Sequence, residues 1–357
     1  MLAAGVAAVL VTSGGCAPAA SPAATGSQPS GGDTGTPAPP PPPPPVTTVA
    51  EEQAYERVIT QVLPSIVQIN TAGGLGSGVV YDTRGHILTN AHVVGKATSF
   101  EVTLATGGKP RQAKLVASYP LGDLAVIRVS DTNGLNPATF GDSGKLKVGQ
   151  IVLAMGNPLG LSGSVTNGII SALGRTVTEP QGEGSPGATI TNAIQTSAAI
   201  NPGNSGGALT NMTGEVIGVP TLAAINPDLG GGAAPGIGFA IPSTTAKDVA
   251  DQIIKYGKVT NSRRAALGVR VNTVVAPDGR PVGVGVAMVE PGGGAAKAGI
   301  KAGDVILSVE GKPTPTAAAL SEVLATLKPG RQVKVELLSP DGRTRTVAVT
   351  LGTLASG

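Results

Sequence analysis

Gly76-Ser77-Gly78-Val79-Val80-Tyr81, the turn Asp82-Thr83-Arg84-Gly85, and then His86-Ile87-Leu88-Thr89-Asn90-Ala91-His92 place two short apolar runs on either side of a polar, glycine-bearing bend. Runs of this length, rich in branched residues and bounded by Gly, Asn and Asp, read as paired strands. The pattern extends outward in both directions. Ser65 to Asn70 precedes it, and Phe100 to Leu104, Ala113 to Ser118 and Leu124 to Val129 follow. After Gly149 it restarts with Ile151 to Met155, Gly163 to Leu173, Ile190 to Thr196, Gly206 to Pro220 and Gly236 to Pro242. Short strands at such spacing argue for antiparallel barrels over a parallel sheet. Two such groups suit two six-stranded β-barrels. Thr244 to Tyr256 is the first clear amphipathic helix, with Val249, Ile253 and Ile254 on one face, and is expected to close this unit. A shorter helix is expected from Val46 to Thr60, with Glu51 and Glu52 in its first turn, where the helix dipole favours negative charge.

The 357 residues suit two or three domains. Hydrophobic residues make up 41% but aromatic ones only 2%, so the cores must be filled by Val, Ile, Leu and Ala. The 53 glycines and 30 prolines fit many strands joined by tight turns. A net charge of +3, spread singly, offers no nucleic-acid patch. The expected organisation is an export segment at 1–16, a Pro-rich disordered linker at 17–50, a barrel domain at 51–258 and a second domain at 263–354. Seven consecutive prolines, Pro39 to Pro45, make that linker a semi-rigid spacer.

The chain has only two histidines, which narrows any imidazole chemistry to His86 or His92. His92 lies in Thr89-Asn90-Ala91-His92-Val93-Val94, Asp123 in Gly122-Asp123-Leu124-Ala125-Val126, and Ser205 in Gly203-Asn204-Ser205-Gly206-Gly207. A serine hydroxyl becomes a useful nucleophile when an imidazole takes its proton, and the imidazole needs a carboxylate to fix its tautomer. The candidate triad is therefore His92, Asp123 and Ser205. Asp82, Asp131 and Asp142 sit in turn contexts where aspartate merely supports a bend, and His86 is expected to be structural. Gly203 to Gly207 also fits the nucleophile elbow of α/β-hydrolases, but that fold places its histidine after the serine, and none follows His92. Small residues around the serine let the N–H groups of Gly203 and Ser205 converge on one point, as an oxyanion hole requires. As a general base His92 must be neutral, so activity is expected to fall on acidification through the imidazole range, about pH 6.5. Two histidines and one cysteine offer no closed metal site, and no cofactor is expected.

These motifs, with Ala198-Ala199-Ile200-Asn201-Pro202 before the serine, Ala154-Met155-Gly156-Asn157-Pro158-Leu159-Gly160 and Gly236-Ile237-Gly238-Phe239-Ala240-Ile241-Pro242, resemble the trypsin-like HtrA/DegP family over roughly residues 52 to 354. The resemblance implies a mainly β, chymotrypsin-like double six-stranded β-barrel followed by an α+β PDZ domain. His92 and Asp123 would come from the first barrel and Ser205 from the second. Arg264-Ala265-Ala266-Leu267-Gly268-Val269 looks like the PDZ carboxylate loop, where N–H groups around Leu267, Gly268 and Val269 would capture a C-terminal peptide that adds as a strand. The segment Ala295 to Gly311 resembles the core helix-strand unit, and a helix over Thr316 to Leu327 would flank the groove. The order expected for this domain is strand, long loop, strand, Gly-rich helix start, strand, helix and two strands. In trypsin-like enzymes the residue six before the nucleophile floors the S1 pocket. Here it is Ala199, beside Ile200, and with no acid there to pair a buried Lys or Arg, small or medium aliphatic P1 residues are expected. The resemblance further implies misfolded or damaged protein substrates and homotrimers. A peptide sensor or chaperone with little proteolysis is the alternative. Gln181-Gly182-Glu183-Gly184 reads as a mobile, regulatory loop.

At the N-terminus, the apolar stretch Leu2 to Val11 is too short to span a membrane. Followed by Ser13-Gly14-Gly15-Cys16, it resembles a bacterial lipobox, which implies lipidation at Cys16 and a membrane tether. A cleaved secretory signal is the other reading. No Lys or Arg precedes Arg57, so the basic n-region is missing, and Ser13 stands where leucine is usual. Either reading puts the protein outside the cytoplasm.

Overall fold

Short runs rich in Val, Ile and Leu, most of them buried along most of their length, build two closed antiparallel barrels. The computed structural model describes residues 46–71, 74–157, 163–179, 188–201, 203–226 and 232–354. Cys16, the Pro-rich segment up to Pro45 and the Gln181–Gly184 loop lie outside the described residues. Helix α1 (Val46–Val62) leads into barrel one, formed by β1 (Ile66–Thr71), β2 (Gly74–Val80), β3 (His86–Thr89), β4 (Ser99–Leu104), β5 (Arg111–Tyr119) and β6 (Leu124–Val129), with the one-turn helix α2 (Ala91–Val94) after β3. Its strands close in the order β1-β2-β3-β6-β5-β4. Barrel two repeats that order with β7 (Ile151–Gly156), β8 (Ser164–Glu179), β9 (Ala188–Thr196), β10 (Ala208–Thr210), β11 (Val216–Asn226) and β12 (Gly232–Pro242), closed as β10-β11-β12-β9-β8-β7.

Two expectations need correction here. Helix α1 begins at Val46, so the last residues of the expected 17–50 linker are helical, and Glu51 and Glu52 fall in the second turn. The run Gly206 to Pro220 is two strands, because the side chain of Asn211 accepts the N–H groups of Thr213 (3.1 Å) and Glu215 (3.0 Å) and bends the chain between β10 and β11.

Each barrel has its own aliphatic core, Val67, Ile69, Ile87 and Ile127 in the first and Val152, Ile170, Ile194 and Leu209 in the second. What joins them is a seam. On one side Val58 and Val62 of α1 pack with Ile66 and Val79 of barrel one and Leu153, Met155 and Val216 of barrel two. On the other, helix α3 (Ser243–Tyr256) inserts Ala246, Val249, Ala250 and Ile253 against Leu124 and Val126 of the first barrel and Val219 and Ile241 of the second. The hydroxyl of Tyr81, at the end of β2, ties the same helix down by donating to Asp251 at 2.5 Å, with Lys247 on Asp251 at 2.9 Å. Burial, followed by that bond to Asp251, holds the phenol well above its ordinary titration range.

The second domain follows Gly257 through β13 (Ala265–Ala266), β14 (Val269–Val275), β15 (Pro281–Val289), α4 (Gly294–Lys297), β16 (Val305–Val309), β17 (Lys312–Pro313), α5 (Ala317–Ala325), β18 (Gln332–Leu338), β19 (Thr344–Thr350) and β20 (Gly352–Thr353). Its sheet runs β14-β15-β16-β18-β19, and β13 pairs β20. The long loop expected between its first strands is a tight hairpin, in which the Ala276 N–H reaches the Arg280 carbonyl at 2.8 Å. Thr316 caps α5 by accepting the Ala319 N–H at 3.0 Å.

Candidate active site

The end of β3 delivers Asn90, and the single turn of α2 that follows carries His92. Asp123 sits between a 3-10 turn (Pro120–Gly122) and β6, at φ 51°, a left-handed position that aspartate tolerates better than most residues. It is only 1% exposed. A buried carboxylate must be fully partnered, and this one is. It accepts the His92 backbone N–H at 3.0 Å, lies 2.9 and 3.0 Å from His92 Nδ1, and takes the hydroxyl of Thr221. Asn90 Nδ2 donates to the Asp123 carbonyl at 2.8 Å, so the backbone is fixed as well as the side chain.

Ser205 lies in the turn that enters β10. Its hydroxyl donates to the Thr221 carbonyl at 3.2 Å. Thr221 therefore stands between the carboxylate and the serine, its hydroxyl on one and its carbonyl on the other. Gly206 holds φ at 82°, and a Cβ there would lie 2.3 Å from the Ser77 carbonyl oxygen and 2.4 Å from Thr89 Oγ1. No other residue fits this approach. Gly203 has φ 106° and accepts the hydroxyl of Ser77 at its carbonyl.

The segment before the serine is held by its own polar groups. Asn204 Nδ2 donates to the Ala199 carbonyl at 3.0 Å, as does Thr166 Oγ1 at 2.9 Å, and Asn204 Oδ1 accepts the Asn201 N–H at 3.1 Å. Ala199 is exposed, whereas Ile200 is buried at the edge of the second core. A Cβ on Gly238 would come within 2.3 Å of Ile200 Cγ1, so Ile200 packs directly on that glycine.

His86 stands apart from this constellation, with Nδ1 2.8 Å from Asp82 Oδ2. Burial pushes the Asp82 carboxyl up, but hydrogen bonds from the His86 side chain and N–H and from Arg84 outweigh it and hold the group below its ordinary range. In the second domain Leu267 is buried in the core and its carbonyl accepts the Ala295 N–H at 2.9 Å, Gly268 has φ 79°, and Val269 opens β14. Among the described residues β14 pairs only with β15, which leaves its outer edge beside α5, where the Ala317 N–H donates to Thr273 Oγ1 at 3.1 Å. Sequence reading did not single out Ser77, Asn90 or Thr221. Asn90 precedes Ala91-His92 and could have been flagged as a helix cap, but the other two are one hydroxyl each in apolar strands.

Residues 76–219 match the family described as a trypsin-like peptidase domain, and residues 265–351 match the PDZ domain. The serine protease PepD of Mycobacterium tuberculosis is 40% identical over 312 residues, which cover 83% of this chain and 66% of that protein. The periplasmic serine endoprotease DegP of Escherichia coli K12 is 42% identical over 273 residues, covering 75% and 55%. This chain thus spans about half to two thirds of the length of such relatives. The solved structure of the HtrA-type protease AlgW with a decapeptide superposes with a TM-score of 0.56 at 31% identity, covering 85% of this chain and 99% of that one. The serine endoprotease from Yersinia pestis gives 0.55 at 35% identity, covering 84% and 98%. A doubled six-stranded barrel with paired histidine and aspartate, a PDZ sheet after it, and likeness to these proteins over nearly their whole solved chains make this chain a member of the HtrA-type serine proteases.

Proposed function

We propose that the chain is an exported serine endopeptidase that cleaves misfolded or damaged proteins through a His92-Asp123-Ser205 triad. The observation that carries this reading is the buried Asp123 carboxylate, which holds His92 Nδ1 at 2.9 Å while Thr221 links it to Ser205. With Nδ1 so engaged, Nε2 is the ring atom that takes the Ser205 proton. The alkoxide oxygen adds to the substrate carbonyl, and the N–H groups of Gly203 and Ser205 stabilise the oxyanion. The imidazolium returns its proton to the leaving amine, an ester to Ser205 remains, and water attacks that ester by the same route to release the acid. Asp123 stays ionised throughout and steadies the imidazolium.

Ala199 and the Ile200–Gly238 contact support a neutral, shallow S1 pocket for Val, Ala, Ile or Leu. Such pockets discriminate by only about 1–3 kcal/mol per methylene, so the cleavage set is broad. The PDZ domain captures C-terminal peptides, the carboxylate at Leu267-Gly268-Val269 and the peptide backbone on the open edge of β14. The names of the relatives, periplasmic endoproteases among them, support an exported location, with Cys16 as the site of a lipid tether and trimers as the assembly. A specific observation favours a second reading, the peptide sensor: the Ser205 hydroxyl rests on the Thr221 carbonyl. Casein digestion by the full chain beside Ser205→Ala separates the two. Cleavage only with the serine present, mainly after small aliphatic residues, is expected; no cleavage by either chain favours the sensor, and cuts mainly after Arg or Lys remove the S1 assignment.

A further inference from the structure

Ser77 is wholly buried, at 0% exposure, in the Gly-Ser-Gly stretch of β2. Every polar atom it owns is committed. Its N–H donates to the carbonyl of Ser205 at 3.0 Å. Its own carbonyl accepts the hydroxyl of Thr89 at 2.7 Å, one residue before Asn90 and three before His92. Its hydroxyl accepts the N–H of Asn157 at 2.8 Å, where the chain leaves β7, and donates to the carbonyl of Gly203. Two glycines approach it closely, since a Cβ on Gly156 would lie 2.8 Å from Ser77 Oγ and one on Gly206 would meet the Ser77 carbonyl. One residue of barrel one thus grips the nucleophile turn of barrel two twice, with its hydroxyl on Gly203 and its backbone N–H on Ser205 itself.

From this we infer that Ser77 is a positioning residue for the reaction: its hydroxyl locks the Gly203–Asn204 peptide, and with it the conformation of the glycine whose N–H serves the oxyanion. The inference rests on the triad reading above. Removing the hydroxyl leaves a buried carbonyl and a buried N–H without partners. The Gly203 carbonyl relieves this by turning away, and glycine at φ 106° offers little resistance to that rotation. Substrate binding is untouched, because Ser77 is wholly buried and meets no substrate. The defect therefore belongs to the transition state, as loss of a preorganised donor does.

The test compares kcat and KM on a fluorogenic peptide for the full chain, Ser77→Ala and Ser77→Thr, with Ser205→Ala as the blank and a thermal melt for each. Ser77→Ala is expected to lower kcat by about 10- to 100-fold, below the full cost of one oxyanion donor, with KM within about twofold. Ser77→Thr, which keeps the hydroxyl, recovers most of that loss. An unchanged kcat, a change confined to KM, or equal losses in the Ala and Thr chains overturns the inference. Should Ser77→Ala fail to fold, Ser77→Cys keeps the volume with a weaker donor and reads the same split, an unchanged kcat again overturning it. If the unsubstituted chain shows no more turnover than Ser205→Ala, the protease reading falls and this inference with it.

Discussion

The two histidines show how one carboxylate contact supports different ends. His92 is bound through Nδ1 to a carboxylate that is itself tied to Thr221, while Asn90 fixes the Asp123 backbone at its carbonyl, so on the proposed triad the ring is held for chemistry at its other nitrogen. His86 shares Asp82 with Arg84, in a turn that Asp82 also braces through the N–H groups of Arg84 at 2.9 Å and His86 at 3.2 Å. That carboxyl titrates below its ordinary range despite burial. A depressed native value means stability that is present above the unfolded pKa, about 3.9, and lost as pH falls through the native one. Asp82→Asn should therefore lower the melting temperature most near neutral pH, and the gap between the two chains should narrow as pH is lowered from neutral to below the unfolded value of about 3.9. Calorimetry across that range checks it, and a gap independent of pH would remove the linkage. Motif reading singled out Asp123 and Ser205 because their neighbours are distinctive. Ser77 and Thr221 were invisible to it because a lone hydroxyl in an apolar strand gains meaning only from its three-dimensional partners, which come from the opposite barrel.

At the scale of elements, periodicity was a good guide where strands are short and bounded by turns, and a poor one at their ends. Helix α3 was legible from Val249, Ile253 and Ile254, and of these Ile253 is fully buried at the seam while Ile254 only packs against it. Ile253→Ala should cost about 2–5 kcal/mol, the usual range for truncating a packed Ile, as read by denaturant unfolding with an unchanged slope. The start of α1 at Val46 was legible, but the linker bound at residue 50 overlapped it, and the apolar face of the helix becomes meaningful only against strands of both barrels. The split of β10 from β11 was missed because it depends on Asn211 side-chain bonds to residues two and four further on. The PDZ edge was legible in outline from Leu267-Gly268-Val269; the hairpin between β14 and β15 was not, because a loop of five residues reads the same whether tight or extended.

For the whole molecule, the double barrel followed from the spacing of the strands in two groups, whereas how the barrels meet did not. The seam is built from residues of α1 and α3 that touch both halves, and no local pattern reports it. Activity assigned to His92 gives a prediction at this scale: kcat/KM against pH should rise from about pH 5 to about pH 8 with a single inflection in the imidazole range. A flat profile on a peptide without titratable groups would contradict the assignment. The nucleophile turn closes only on a partner from the other half, with Ser77 bonded to Gly203 and Ser205, and with Thr221 of barrel two bonded to Asp123 of barrel one. Chain order gives that architecture a temporal meaning. On the proposed triad, a ribosome that has emitted barrel one has made a histidine and an aspartate but no weapon, and the serine is armed only after strands beyond residue 205 have docked. On the proposed function the unfinished chain is itself an unfolded polypeptide of the sort the finished protein would cut, and it is thereby safe from its neighbours still under synthesis.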